Sequence, residues 1–146
     1  LFKDSADKIR NAQKVIICAG HLYGSILPNS IVQGMRECLA ESNSKKIYLC
    51  NLFTHDGTYG FKASDFVDEI EKYFGINLDK IIINTRIPSE ETRKKYLSEN
   101  SMFVEDDFLL TDTRIIRGDF VKEYPQERKT LLRHVPEKIA REIIAV

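Results

Sequence analysis

Four short runs of apolar, mostly β-branched residues punctuate the chain: Val15-Ile16-Ile17-Cys18, Ile47-Tyr48-Leu49-Cys50, Ile81-Ile82-Ile83 and Ile115-Ile116. None alternates with polar residues, which is the pattern of strands covered on both faces, as in a parallel sheet. Lys45-Lys46 and Asp79-Lys80 precede two of the runs at equivalent places. Between the runs the spacing becomes helical. Ile31, Val32, Met35 and Leu39 make one stripe, and Phe66, Val67, Ile70 and Phe74 make another. Ser64 and Asp65 suit the start of that second helix and Gly75 its end. Ser89, followed by Glu90 and Glu91, suits the start of a third. Pro136 opens a last one, with Ile139, Ala140, Ile143 and Ile144 on one face. Strand alternating with helix predicts an α/β fold: a three-layer, Rossmann-like parallel sheet with flanking helices and right-handed crossovers. No internal repeat or low-complexity linker divides residues 1–146, so a single α/β domain is expected.

Charge narrows the partners. Lys plus Arg is 22 and Asp plus Glu is 22, and neither half of the chain is strongly basic. That balance excludes the electrostatic footprint of a duplex DNA binder, and no nucleic-acid partner is expected. A hydrophobic share of 42% beside 30% charged residues excludes a disordered chain. No apolar run approaches the roughly 20 residues of a membrane span, and no signal-peptide pattern opens the sequence, so no membrane partner and a cytoplasmic location are expected. Cys18, Cys38 and Cys50 form no CxxC pair. Cys18 and Cys50 lie inside apolar runs and are expected as buried, reduced thiols. A zinc site would want four ligands at paired spacings, so no metal site is assigned.

Open parallel sheets hold ligands beyond the carboxyl ends of their strands, at a switch point. The two segments that follow the first two strands are therefore the candidates. In the first, Ala19-Gly20-His21-Leu22-Tyr23-Gly24-Ser25 leads to Pro28-Asn29. Its glycines let amides approach an anion, and Ser25 adds a hydroxyl. A tight strand-to-helix turn without a ligand explains the same spacing, and neither a Walker lysine nor GxGxxG is present. The second, Asn51-Leu52-Phe53-Thr54-His55-Asp56-Gly57-Thr58-Tyr59-Gly60, offers groups that can read a base or sugar. A solvated Asp-Gly turn fits it equally. His21 and His55 fall one in each loop, where they can converge, but neither has a carboxylate or second histidine at metal spacing. His134 is expected as a hydrogen-bonded structural residue, and Glu105-Asp106-Asp107 as a solvated charge run.

The two loops together are more specific than either alone. Gly20-His21-Leu22-Tyr23-Gly24-Ser25-Ile26-Leu27-Pro28-Asn29 resembles the GPGSLYTSxxPN segment of the CofD-like family, in its YvcK-type branch, the gluconeogenesis factors. Asn51-Leu52-Phe53-Thr54 with Gly57 and Gly60 resembles that family's NxMTQPGETDG segment. Ala63-Ser64-Asp65-Phe66, Ile83-Asn84-Thr85-Arg86-Ile87-Pro88 and Leu132-Arg133-His134-Val135-Pro136-Glu137-Lys138-Ile139-Ala140 are similar to three later segments, the last being its RHDPEKLA helix. The chain departs from the pattern with Ala19 for proline, His21 for serine, Gly24 for threonine, and His55-Asp56 for Gln-Pro. Tyr59 stands before Gly60 where the pattern has Asp, and Val135 replaces the aspartate that would cap the last helix.

The resemblance implies a protein that binds a nucleotide derivative, of the UDP-sugar type in this branch, and regulates carbon metabolism or cell-wall synthesis. It implies the alternative of a 2-phospho-L-lactate-type transferase acting on a deazaflavin acceptor. A scaffold whose site has decayed is the third reading, motivated by the departures. The implied ligand-binding residues are Gly20, Tyr23, Ser25 and Asn29 in the first loop and Asn51, Thr54 and Gly57 in the second. Gly20, Ser25 and Asn29 would bound a phosphate or sugar, Asn51 and Thr54 would orient the ligand, and Tyr23 would stack on it or pack beneath it. The family's glycine-rich N-terminal segment has no counterpart here, so the chain is expected to be the C-terminal part of a longer protein. An open sheet edge with apolar faces also predicts a homo-oligomer.

Overall fold

The computed structural model describes residues 1–125 and 130–146. All four apolar runs are strands: β1 (Lys14–Ile17), β2 (Lys45–Leu49), β3 (Lys80–Asn84) and β4 (Ile115–Gly118). They form one parallel sheet in the order β1-β2-β3-β4, with Ile16 beside Ile47, Tyr48 beside Ile81 and Ile82 beside Ile116. The order never reverses, so the described strands contain no switch point. Burial follows position in the sheet. Ile47, Tyr48, Ile81 and Ile82 on the two inner strands are fully buried, whereas β1 and β4 are only partly covered.

The helices are α1 (Lys3–Asn11), α2 (Met35–Glu41), α3 (Ala63–Phe74), α4 (Glu90–Ser98) and α5 (Pro136–Ala145). Side chains alternate across each strand, and the two faces carry separate cores. Tyr48, Ile81 and Ile83 pack with Leu39 of α2 and with Phe66, Val67, Ile70 and Phe74 of α3. Ile47, Leu49 and Ile82 point the other way, to Phe120 and to Ile139 of α5. Helix, sheet and helix make the three layers of a Rossmann-like α/β fold.

Helix limits follow the local chemistry. Gly75 ends α3 in the left-handed conformation (φ 68°), Ser89 Oγ accepts the Thr92 amide at the start of α4, and Pro136 opens α5. The stripe from Ile31 to Leu39 does not make one helix. Leu27–Ile31 forms a 3₁₀ turn, Gly34 breaks the chain at φ 86°, and only Met35–Glu41 is α-helical, which leaves Ile31 exposed. Cys50 and Cys38 are buried free thiols, but Cys18 is exposed because it lies just beyond the edge strand β1. No helix among the described residues is long and apolar enough to cross a membrane.

The apolar runs and helical stripes of the sequence mark neither α1 nor the element that follows β4. After β4 the chain forms an antiparallel hairpin, β5 (Val121–Pro125) with β6 (Thr130–His134). The segment Leu132-Arg133-His134 is therefore strand, and the last helix begins only at Pro136. Val121 and Leu132 of the hairpin pack with Phe53 and Tyr96, whose rings stack 3.8 Å apart at 3°. Truncating Leu132, which is 2% exposed, should expose this seam. Leu132→Ala is expected to cost about 2–5 kcal/mol, read as a shift of the urea midpoint. An unshifted midpoint would mean that the hairpin is not part of the folded core.

Candidate functional site

Strands β1 and β2 run parallel, so both deliver the loops that follow them to one edge of the sheet. After β1 the His21 carbonyl accepts the amides of Ser25 (2.8 Å) and Ile26 (3.1 Å) and the Ser25 hydroxyl (2.9 Å). The resulting turn, Leu22–Ile26, is π-helical, a form that is uncommon and recurs at functional sites. His21 caps it, its Nδ1 accepting the Gly24 amide at 2.9 Å. A Cβ on Gly24 would lie 2.9 Å from that same Nδ1. The histidine in place of serine and the glycine in place of threonine are thus one packing solution: the imidazole fills the space a side chain at position 24 would need.

Asn51, just past β2, joins the two loops. Its Nδ2 donates to the Gly20 carbonyl (2.7 Å) and its Oδ1 accepts the Tyr48 hydroxyl (2.8 Å), with both side chains buried. Burial holds the Tyr48 phenol well above its ordinary range and pushes the neighbouring Cys50 thiol up to about 12, so neither ionises near neutrality. In the second loop the Thr58 hydroxyl accepts the His55 amide (2.9 Å) and donates to the His55 carbonyl (3.0 Å), closing the turn around Asp56-Gly57. Gly57 has φ 83°, and a Cβ there would press to 3.3 Å of the Tyr23 ring.

Between these loops and the hairpin lies a cavity of about 460 Å³, within the size range of small-molecule sites. Gly20 and Asn51 line it from the strand ends, His21 and His55 from the loops, and Leu132, Arg133 and His134 from β6. The two loop imidazoles do converge, with centroids 6.2 Å apart and planes within 13°, an offset stack. His134 differs from the expectation of a hydrogen-bonded residue. Its Nε2 is buried without a partner, and burial pushes the ring down to about 4.

The seven residues singled out from sequence therefore separate. Gly20 and Asn51 line this cavity. Gly20, Ser25 and Asn29 line a neighbouring, mostly apolar cleft of about 360 Å³ along β1, where Asn29 Nδ2 donates to the carbonyls of Ser25 (2.7 Å) and Ile26 (3.0 Å). Tyr23 packs on Gly57, and its hydroxyl donates to Glu69 of α3 at 3.0 Å. Thr54 is fully buried, and its Oγ1 accepts the Met102 amide at 2.9 Å. The acidic run Glu105-Asp106-Asp107 is exposed, as expected, and two of its carboxylates also act as clasps. Asp106 pairs with Arg117 at 2.6 Å, and Asp107 accepts the amide (3.0 Å) and hydroxyl (2.6 Å) of Ser64 at the start of α3. Burial works to raise Asp107, but those bonds outweigh it and hold the carboxyl below its usual range. Among the described residues no three His, Cys, Asp or Glu side chains are grouped to hold a metal ion. Leu132, Arg133 and His134 stood out in the sequence only as part of a family-like segment, and the hairpin is what brings them to the cavity.

The model of the CofD family, described as 2-phospho-L-lactate transferase CofD, matches residues 2–121. A putative gluconeogenesis factor of Thermotoga maritima is 38% identical over 92% of this chain and 44% of its own length. The gluconeogenesis factor of Bacillus subtilis is 31% identical over 94% of this chain and 44% of its own. A crystal structure of a UPF0052-family protein from Bacillus halodurans superimposes with a TM-score of 0.86 at 31% identity, covering 97% of this chain and 46% of that one. The chain thus spans under half the length of these relatives.

Two consequences of the geometry are measurable. Gly24→Ala should destabilise the protein, and adding His21→Ser should recover part of the loss, with a coupling of about 0.5–3 kcal/mol in a double-mutant cycle of urea unfolding. Simple additivity would mean that ring and glycine are not packed together. For His134, the unfolded ring takes a proton near the ordinary 6.5 and the folded one only at about 4. Its contribution is therefore intact above pH 6.5 and is lost as pH falls toward 4, a loss on the order of 3 kcal/mol. His134→Leu should flatten that part of the stability profile. An unchanged slope between pH 7 and 4.5 would refute the assignment.

Proposed function

The chain belongs to the CofD family, and we propose that within it residues 1–146 act as one α/β unit carrying a binding site for a nucleotide-type ligand, a UDP-sugar. The observation that carries this reading is the position of the cavity. It opens beyond the carboxyl ends of β1 and β2, between a glycine-bearing turn and a polar loop that Asn51 ties together. Ligands of open α/β sheets lie outside the carboxyl ends of the strands, and here the crevice is formed by the two outgoing loops and the hairpin, with no switch point among the described strands. The volume of about 460 Å³ suits part of a nucleotide sugar. The ligand touches the Gly20 peptide and the groups around it. Tyr23, Thr54 and Gly57 hold the two loops in place, and Ser25 and Asn29 shape the adjoining cleft.

The relatives' name, gluconeogenesis factor, supports a regulatory role in carbon metabolism, read out through occupancy of this site. The transfer of a phospholactyl group draws its support from the name of the family model. A scaffold without a ligand is the remaining reading, and one measurement addresses it. A ligand present at 100 times its Kd stabilises the native state by about 2.7 kcal/mol. UDP-N-acetylglucosamine at rising concentration is therefore expected to raise the unfolding temperature of the purified full-length protein progressively. No rise with any UDP-sugar would sink the ligand assignment and favour the scaffold.

A further inference from the structure

Beyond the carboxyl end of β3, α4 and the segment that returns from it border a second cleft, of about 570 Å³. It shares no lining residue with the cavity described above. Its aliphatic side chains are open to water: Ile87, Leu97 and Met102 are 67%, 52% and 37% exposed. Folded monomers rarely leave large apolar side chains grouped at their surface, and such a group marks an interaction site. A small molecule is held by burying most of its own surface, which walls this exposed do not provide. They suit a broad surface laid across them.

Two charged side chains of opposite sign line the same cleft, and each is the odd one of its segment. On α4, Lys94 pairs with Glu90 at 2.7 Å and Lys95 with Glu99 at 3.9 Å, whereas the Arg93 guanidinium has no partner among the described residues. In the acidic run, Asp106 holds Arg117 and Asp107 holds Ser64, whereas the Glu105 carboxylate has no partner among the described residues. Arg93 and Glu105 both line the cleft and both are exposed. An apolar centre with a charged rim is the usual anatomy of a protein interface. One free cation and one free anion on that rim make the surface complementary to its own image turned about a twofold axis.

We propose that this face joins two copies of the chain across such an axis. Ile87, Leu97 and Met102 of one copy pack on those of the other. Arg93 pairs with Glu105 of the partner subunit, and Glu105 with the partner subunit's Arg93. The cleft stands at the β4 side of the sheet, where the described strands end in an open edge. Arg117 of β4 holds Asp106 and the Phe108 and Leu109 carbonyls at that side, and the exposed Leu109 and Leu110 extend the apolar surface there. The dimer leaves the cavity at β1 and β2 open, so the inference does not rest on the ligand proposed for it.

Sedimentation velocity of the purified full-length protein over a concentration series tests this contact, with the wild type expected as a dimer. By symmetry, Arg93→Glu sets like charges together at both ends of the interface, and so does Glu105→Arg. Each should weaken the dimer at least about tenfold. The exchange Arg93→Glu with Glu105→Arg rebuilds both pairs and should bring the affinity back to within about threefold of wild type. Leu97→Lys, near the end of α4 where a cation suits the helix, should weaken the dimer about tenfold as well. All three positions are exposed, and an unchanged far-ultraviolet circular dichroism spectrum verifies that the variants fold. A monomeric wild type overturns the proposal and means that another part of the protein or a different partner covers this face. A dimer that both single charge reversals leave within about twofold of wild type, or that the exchange does not restore, overturns it too.

Discussion

The carboxamide of Asn51 is the contact on which the site depends. Parallel strands leave their outgoing loops side by side, with backbone groups that the sheet no longer pairs. Asn51 meets this by donating to the Gly20 carbonyl and accepting from Tyr48, whose ring is fully buried in the core. Replacing it by an apolar residue would leave the Gly20 carbonyl without its donor and the Tyr48 hydroxyl proton without its acceptor, each costing about 1–3 kcal/mol. Asn84 does the equivalent at the end of β3. Its Oδ1 accepts the Phe120 amide at 3.1 Å and its Nδ2 donates to the Arg86 carbonyl at 2.8 Å. An asparagine at the end of β3 and another just past the end of β2 thus anchor the loops that leave the two inner strands.

From those anchors the remaining geometry follows. Asn84 fixes Phe120, and the Val135 amide donates to the Phe120 carbonyl at 2.7 Å, so both ends of the hairpin are tied to the end of β3. Leu132 then seats against Phe53 and Tyr96, and β6 becomes the far wall of the cavity. On the near side, Asp107 on Ser64 and the Tyr23 hydroxyl on Glu69 pin α3 to the loops it supports. The walls of the site come from segments more than 100 residues apart in the chain, from Gly20 to His134, so their alignment measures the rigidity of the sheet between them.

Departures from the family pattern acquire a physical meaning in this setting. His21 and Gly24 are steric complements, and His21 and His55 meet across the cavity mouth. Read one at a time, these changes look like loss of a hydroxyl and of an amide. Taken together they replace a hydroxyl and an amide with a pair of stacked imidazoles. Val135, by contrast, leaves the start of α5 without a side-chain cap, and Pro136 and Glu137 are the features there that favour a helix start.

The sequence by itself determined the four strands, the class of fold, the end of α3, the starts of α4 and α5, and the two loops that reach the ligand edge. These are local properties: β-branched runs, helical stripes, a glycine at a left-handed position and a serine cap act within a few residues of themselves. Only the tertiary structure decided the rest. The stripe from Ile31 to Leu39 reads as one helix until Gly34 takes a positive φ that breaks it. Cys18 reads as core until β1 proves to be an edge strand. Thr54 reads as a ligand group until the segment returning from α4 claims its hydroxyl through Met102. Leu132, Arg133 and His134 read as the approach to a helix until the hairpin folds over Phe53 and Tyr96. In each case the deciding contact joins residues distant in sequence, and a pattern read along the chain holds no record of which distant group will arrive.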